Sequence, residues 1–274
     1  MTSIEMLEAG RLAQAIEQVK GELRSQPADL HRRTVLFELL CFAGDRVGAQ
    51  RQLDFISHRG TGAGTVVGVQ VYRNLLEAES ARHLLFASGV RPRFLLAPPP
   101  GITRRLEALD RLREGRAEDA RALLEEAAAD ARPLRGTAHG EGFEDFRDAD
   151  DLLAPVLEVY AADRYYWVPW EQVQFLKVPP PRSLRDLLWT PAQLATFDGQ
   201  LGEVFLPALY PGSDAHPDEA VRLGRKTEWL EPAPGIVRGA GLKLFLVGDD
   251  ARSLPELGEL QFPLPDTPTL DGPG

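Results

Sequence analysis

The chain has 274 residues, 43% hydrophobic and 26% charged, which leaves room for two domains of ordinary size and matches a soluble globular protein. No run approaches the ~18–20 apolar residues of a membrane span, and the single cysteine, Cys41, excludes an internal disulfide. The net charge of −10 is uneven, +1 over residues 1–134 and −11 over 135–274, so the concentrated basic face of a nucleic-acid binder is missing.

The start, Met1 to Glu8, is acidic and lacks the charged-then-apolar layout of a signal peptide. With the lone cysteine, this points to the cytoplasm. Ile4, Leu7, Leu12, Ala15, Ile16, Val19 and Leu23 recur at helical spacing, interrupted by Gly10-Arg11. The interruption returns 34 residues on at Gly44-Asp45, and again at Gly115-Arg116. An alanine follows each glycine by five positions: Ala15, Ala49 and Ala120. Ala78 stands where a glycine is due one period after Gly44, so that unit reads as degenerate.

A period of 34 is that of the tetratricopeptide repeat, in which glycine turns the chain between two helices and a small alanine lets them pack closely. Such units stack into a solenoid with a concave face. A plain helical bundle is the rival reading. Pro27 ends one unit before a helix from Leu30 to Ala43, and Gly60 to Thr65 reads as an inter-repeat loop. That glycine run lacks the preceding strand and following lysine of a phosphate loop. Residues 91–101 break the pattern before a last helical pair, Ile102 to Ala131, closed by Pro133.

On this register Leu36, Phe37 and Leu40 point into the core. His31, Thr34, Glu38 and Cys41 share the opposite, concave side at steps of three and four, with Tyr72 near them on the next unit. These five are the candidate partner-binding residues, a mixed face suited to an amphipathic helix.

Residues 136–151 hold six acids and His139. Their spacing fits neither a calcium loop nor a zinc site. The segment reads as an acidic loop and helix start, with Asp148, Asp150 and Asp151 before the apolar run 152–157. No metal and no cofactor are expected.

Arg164 to Trp189 holds three of the four tryptophans, two tyrosines and a phenylalanine, the core of a second domain. Tyr165–Val168 and Val173–Val178 read as strands, Pro179 to Pro181 as a polyproline spacer, and Ser183 as the cap of a short helix carrying Leu184, Leu187, Leu188 and Trp189. Val204–Leu209, Leu242–Val247 and Leu257–Phe262 read as further strands, and Pro263 to Gly274 as a mobile tail. Ser213, Asp214 and His216 are a serine–acid–histidine group, but one Pro-Gly turn holds all three and no catalytic residue is assigned.

The fold expected is α+β: tetratricopeptide-like helical repeats over 1–134, then a small mixed β domain over 135–274. Several segments now carry a resemblance. They are Ala43-Gly-Asp, the glycine-rich 136–143, Asp148 to Glu158, Arg164-Tyr-Tyr-Trp-Val-Pro, Leu184-Arg-Asp-Leu-Leu-Trp, Phe205 to Ser213 and Arg225-Lys-Thr-Glu-Trp. In that order they resemble the ImpE/TagJ family (SciE-type). Leu152-Leu-Ala-Pro and Leu209 stand where family members commonly carry arginine.

The resemblance implies a non-catalytic accessory protein of the type VI secretion system. It would grip a helix of the small subunit of the contractile sheath and assist its recycling by a ClpV-type ATPase. The alternatives are a general tetratricopeptide-type scaffold or chaperone, and an enzyme using the acids of 141–151.

Overall fold

A computed structural model describes residues 3–60, 62–199 and 201–264. Thr61, within the glycine run, and residues 265–274 of the expected tail lie outside the described residues.

Among the described residues seven helices come first: α1 (Ser3–Glu8), α2 (Leu12–Ser25), α3 (Leu30–Phe42), α4 (Arg46–Arg59), α5 (Ala63–Ser88), α6 (Pro100–Arg113) and α7 (Ala117–Ala129). The turns before α2, α4 and α7 share one construction. Gly44 has φ +71°, a left-handed conformation that costs an L residue roughly 1–2 kcal/mol, and Gly10 and Gly115 repeat it. Asp29 caps α3 by accepting from Arg32 N (3.0 Å), and Asp45 caps α4 by accepting from Gly48 N (2.8 Å). Ala15, Ala49 and Ala120 are all buried, because helices meeting this closely leave no room for a larger side chain.

Where the period calls for a turn near Ala78, α5 instead runs unbroken from Ala63 to Ser88. Alanine cannot take the turn's left-handed conformation cheaply, so the helix continues. Its first residues come from the run expected to be a loop, since α5 already begins at Ala63.

Thirteen strands follow among the described residues. They are β1 (Gly136–Ala138), β2 (Glu141–Phe143), β3 (Phe146–Asp148), β4 (Val156–Ala161), β5 (Arg164–Pro169), β6 (Val173–Lys177), β7 (Trp189–Thr196), β8 (Leu201–Pro207), β9 (Thr227–Ala233), β10 (Ile236–Gly241), β11 (Leu244–Val247), β12 (Asp250–Ser253) and β13 (Glu259–Gln261). A one-turn helix α8 (Glu219–Arg222) precedes β9. The main sheet runs β2-β1-β13-β6-β7-β8-β4-β5, beside a three-stranded β12-β11-β3 and a two-stranded β10-β9. Every pairing between these strands is antiparallel.

Two expected helices are absent. Asp148 to Asp151 end β3 and enter a turn, because β3 finds a ladder on β11, nearly 100 residues downstream, pairing Asp148 with Phe245. The helix after Ser183 shrinks to a 3-10 turn at Arg185–Leu187. Trp189 leaves it to open β7 opposite Pro207 of β8. The Asp186 carboxylate closes the turn, accepting from Arg182 N and Ser183 N at 2.9 and 3.1 Å.

The main sheet is buried on both faces, so β4 is nearly continuous apolar sequence. One core joins the helical stripe to Tyr160, Tyr165, Trp167 and Trp189. The other, on the far face, is built round Trp170, Phe146, Phe245 and Phe262. Arg93, in the α5–α6 connection, bridges to Tyr166 and covers the exposed edge of β5. Among the described residues no helix is long and apolar enough to cross a membrane.

Candidate functional site

The five residues nominated on the α3 face divide into an open and a closed part. His31 is exposed. Thr34 is half-buried, its hydroxyl donating to the Leu30 carbonyl at 3.0 Å, a bond a helical threonine makes to its own preceding turn. Glu38 is only 6% exposed and accepts a short hydrogen bond from the Tyr72 hydroxyl. Tyr72 lies against Phe37, ring centroids 4.5 Å apart, and Phe37 in turn lies 6.4 Å from Trp189 of β7. Cys41, half-buried, lines a partly open cavity of about 60 Å³ with Leu76, Trp189 and Tyr210. Leu36, Phe37 and Leu40 are buried as the register requires.

The sheet domain therefore covers one end of this face. Burial raises the Glu38 carboxyl, and the Tyr72 hydroxyl and the Arg185 guanidinium draw it back. Burial and the Glu38 charge raise the Tyr72 hydroxyl, and burial pushes the Cys41 thiol well up. Such a thiol is a small apolar packing group and not a nucleophile. What remains open to a partner is the His31–Thr34 end, bordered by the Glu38–Tyr72 pair.

Beneath it lies a buried charge network that the sequence reading did not find. Arg82 of α5 donates from Nε and Nη2 to the two carboxylate oxygens of Glu158 in β4, both at 2.8 Å, and from Nη2 to the Leu209 carbonyl at 2.8 Å. Lys243 sits 2.8 Å from Glu158 and 3.2 Å from Asp148. The Tyr165 hydroxyl donates to Glu158 (2.6 Å) and the Tyr210 hydroxyl to Asp148 (2.8 Å). Glu79 accepts from Tyr160 (2.6 Å) and Trp189 Nε1 (3.1 Å). Asp150 takes Arg238 Nε at 2.7 Å and Gly239 N at 3.0 Å.

Burial alone would raise Glu158, yet Arg82 and Lys243 hold its carboxyl well below the usual carboxylate range. Burial pushes Asp148 up to about 6, opposed by Lys243. Every charge here is spent on a protein partner, so the network fixes α5 on the sheet and offers a ligand nothing. One sequence signal pointed to it. Arg82 stands on the buried stripe of α5 between Ala78 and Leu85, and a charge at a core position implies a buried counter-charge.

The remaining candidates are engaged structurally. The Ser213 hydroxyl donates to the Tyr210 carbonyl (2.6 Å) and accepts from Gly241 N (2.8 Å), whereas His216 faces Asp218 N and Glu228. The serine hydroxyl and the histidine ring therefore share no hydrogen bond, and the two residues meet only through their backbones. His139 has φ 53° and lies 3.2 Å from the Glu256 carbonyl, remote from the Asp148 and Asp150 bonds just described.

The model of a family described as "ImpE protein" matches residues 140–261. The chain is 37% identical over 262 residues, 96% of its length and 91% of the relative's, to the type VI secretion system accessory component TagJ of Pseudomonas aeruginosa. Its fold is similar to the crystal structure of a Vibrio parahaemolyticus protein, with TM-score 0.87, 27% identity, and 95% and 97% of the two chains covered.

Proposed function

The chain belongs to the ImpE/TagJ family, and from that premise we propose that it is a non-catalytic adaptor of the type VI secretion machinery, working in the cytoplasm. Residues 1–134 act as a tetratricopeptide-like domain whose α3 face receives a helix of the sheath small subunit. Residues 135–274 form the second domain, and the captured subunit is passed towards recycling by a ClpV-type ATPase. The observation that carries this reading is the 37% identity to TagJ across nearly the whole of both chains.

In this reading the helix lies at the open end of the α3 face. His31 and Thr34 supply polar contacts, and the Glu38–Tyr72 pair, held by its own hydrogen bond, gives a rigid edge. Cys41 sets the depth of the wall from inside its cavity.

The test is a titration of the sheath small subunit's helix peptide against the full chain and Thr34→Arg. Arginine at this half-buried surface position introduces bulk and charge into the groove without entering the core. Loss of binding with an unchanged unfolding midpoint is expected. Equal affinity for the two proteins would place the helix elsewhere.

A further inference from the structure

Two arginines are buried in the described structure, Arg82 at 5% exposure and Arg105 at 6%. Arg82 meets a carboxylate with both prongs of its guanidinium. Arg105, on α6, does not. Its one hydrogen bond runs from Nη1 to the Asp151 carbonyl, and no carboxylate of the described residues lies within ion-pair distance. Burial lowers it to about 10, with the more distant Asp151 opposing and Arg147 adding to the effect. A buried guanidinium carries five N–H donors, and leaving them without acceptors is costly.

Arg105 lines a cleft of about 480 Å³ between α6–α7 and the β3–β4 turn. That volume lies within the range of small-ligand sites. Three more arginines line it. Half-buried Arg147 makes only a 3.4 Å contact with its neighbour's carbonyl, and exposed Arg121 has a loose 3.7 Å pair with exposed Glu125. Arg132 is exposed and has no hydrogen-bond or ion-pair partner among the described residues. Asp145 and Asp151 line the same cleft, but each has a side-chain oxygen occupied by a backbone amide, Phe146 N at 2.9 Å and Val237 N at 2.6 Å. The rest of the wall includes Leu124, Ala128 and Pro155.

We propose that this cleft binds an oxyanion, a carboxylate or phosphate group on a small molecule with an apolar body, which docks on the unused N–H groups of Arg105 while Arg147 and Arg132 guide it from the rim. Planar guanidinium forks match both groups, and the apolar wall receives the remainder of the molecule. The site lies apart from the α3 face and stands whether or not that face binds a helix.

The experiment follows thermal unfolding and calorimetric binding of the full chain at low ionic strength, with inorganic phosphate and glutarate as separate probes. Saturable binding of at least one probe is expected, and the stronger of the two identifies the phosphate or carboxylate source. Arg105→Gln should weaken it about tenfold or more. Because that change can disturb the fold, Arg132→Gln/Arg147→Gln is the second variant. It should weaken binding severalfold with an unchanged unfolding midpoint. No saturable binding of either probe, or binding by the rim variant equal to wild type, overturns the proposal.

Discussion

The Tyr72 hydroxyl donates to the Glu38 carboxylate across the α3–α5 contact, and the two residues stand 34 positions apart in the chain. The bond joins neighbouring helical units at the edge of the proposed binding face, and it satisfies a carboxylate that is only 6% exposed. Removing the hydroxyl leaves that carboxylate buried with Arg185 and His31 acting on it only through charge.

Tyr72→Phe should therefore cost roughly 1–3 kcal/mol of stability, the penalty of an unsatisfied buried acceptor. Urea unfolding measures it. Combining it with Glu38→Gln should recover part of the loss, because a neutral amide is cheaper to bury than an unpaired charge. A cost near zero for Tyr72→Phe would show that water replaces the hydroxyl.

Breaking the Arg82–Glu158 pair should cost more. Arg82→Met strands Glu158 with Lys243 and Tyr165, for an expected loss of about 3–5 kcal/mol. Arg82→Met/Glu158→Met should cost clearly less than the two single changes added together, since neither member is then left alone. Additive losses would mean that the two residues do not act as a pair.

Asp148 supplies a pH dependence. Its folded value of about 6 lies above the ordinary 3.8, so the folded protein holds this proton more tightly than the unfolded chain. The resulting stability is fully present below 3.8 and is lost as pH rises to about 6. Relative to Asp148→Asn, wild type should lose stability across this window by up to about 1.4 kcal/mol per pH unit. Glu158 titrates in the opposite sense in both proteins and cancels in the difference. Parallel stability curves from pH ~4 to ~7 would rule out the raised carboxyl.

Two glycine-to-alanine changes should have opposite signs. Gly44→Ala forces an alanine to φ +71° and places its Cβ 2.6 Å from the Asp214 carboxylate, so a loss of about 1–2 kcal/mol is expected. Gly21→Ala, inside α2 with only the Arg24 tip at 4.0 Å, should gain roughly 0.5–1 kcal/mol. Both are read from unfolding midpoints. A neutral Gly44→Ala would remove the conformational reason for the recurring glycine.

The sequence by itself determined what short-range rules control. Gly10, Gly44 and Gly115 mark their turns because left-handed backbone favours glycine, and the helical stripes follow from a 3.6-residue repeat. The aromatic stretch announced a core because ring surface must leave water. The family could also be read there, from motifs spread along the whole chain. Tertiary structure alone decided the rest. Asp148 and Asp150 read as a helix start, yet Asp148 sits in a strand whose partner, Phe245, lies 97 residues on, and Asp150 forms a turn facing Arg238. Glu38 reads as an open groove position, yet it is buried against Tyr72, and Cys41 is half-buried beside Trp189. Arg82 and Glu158 are separated by 76 residues, and Lys243 and Asp148 by 95. An arginine on a buried stripe signals that a counter-charge exists, but which residue supplies it has no local signature, because folding brings that partner from far along the chain.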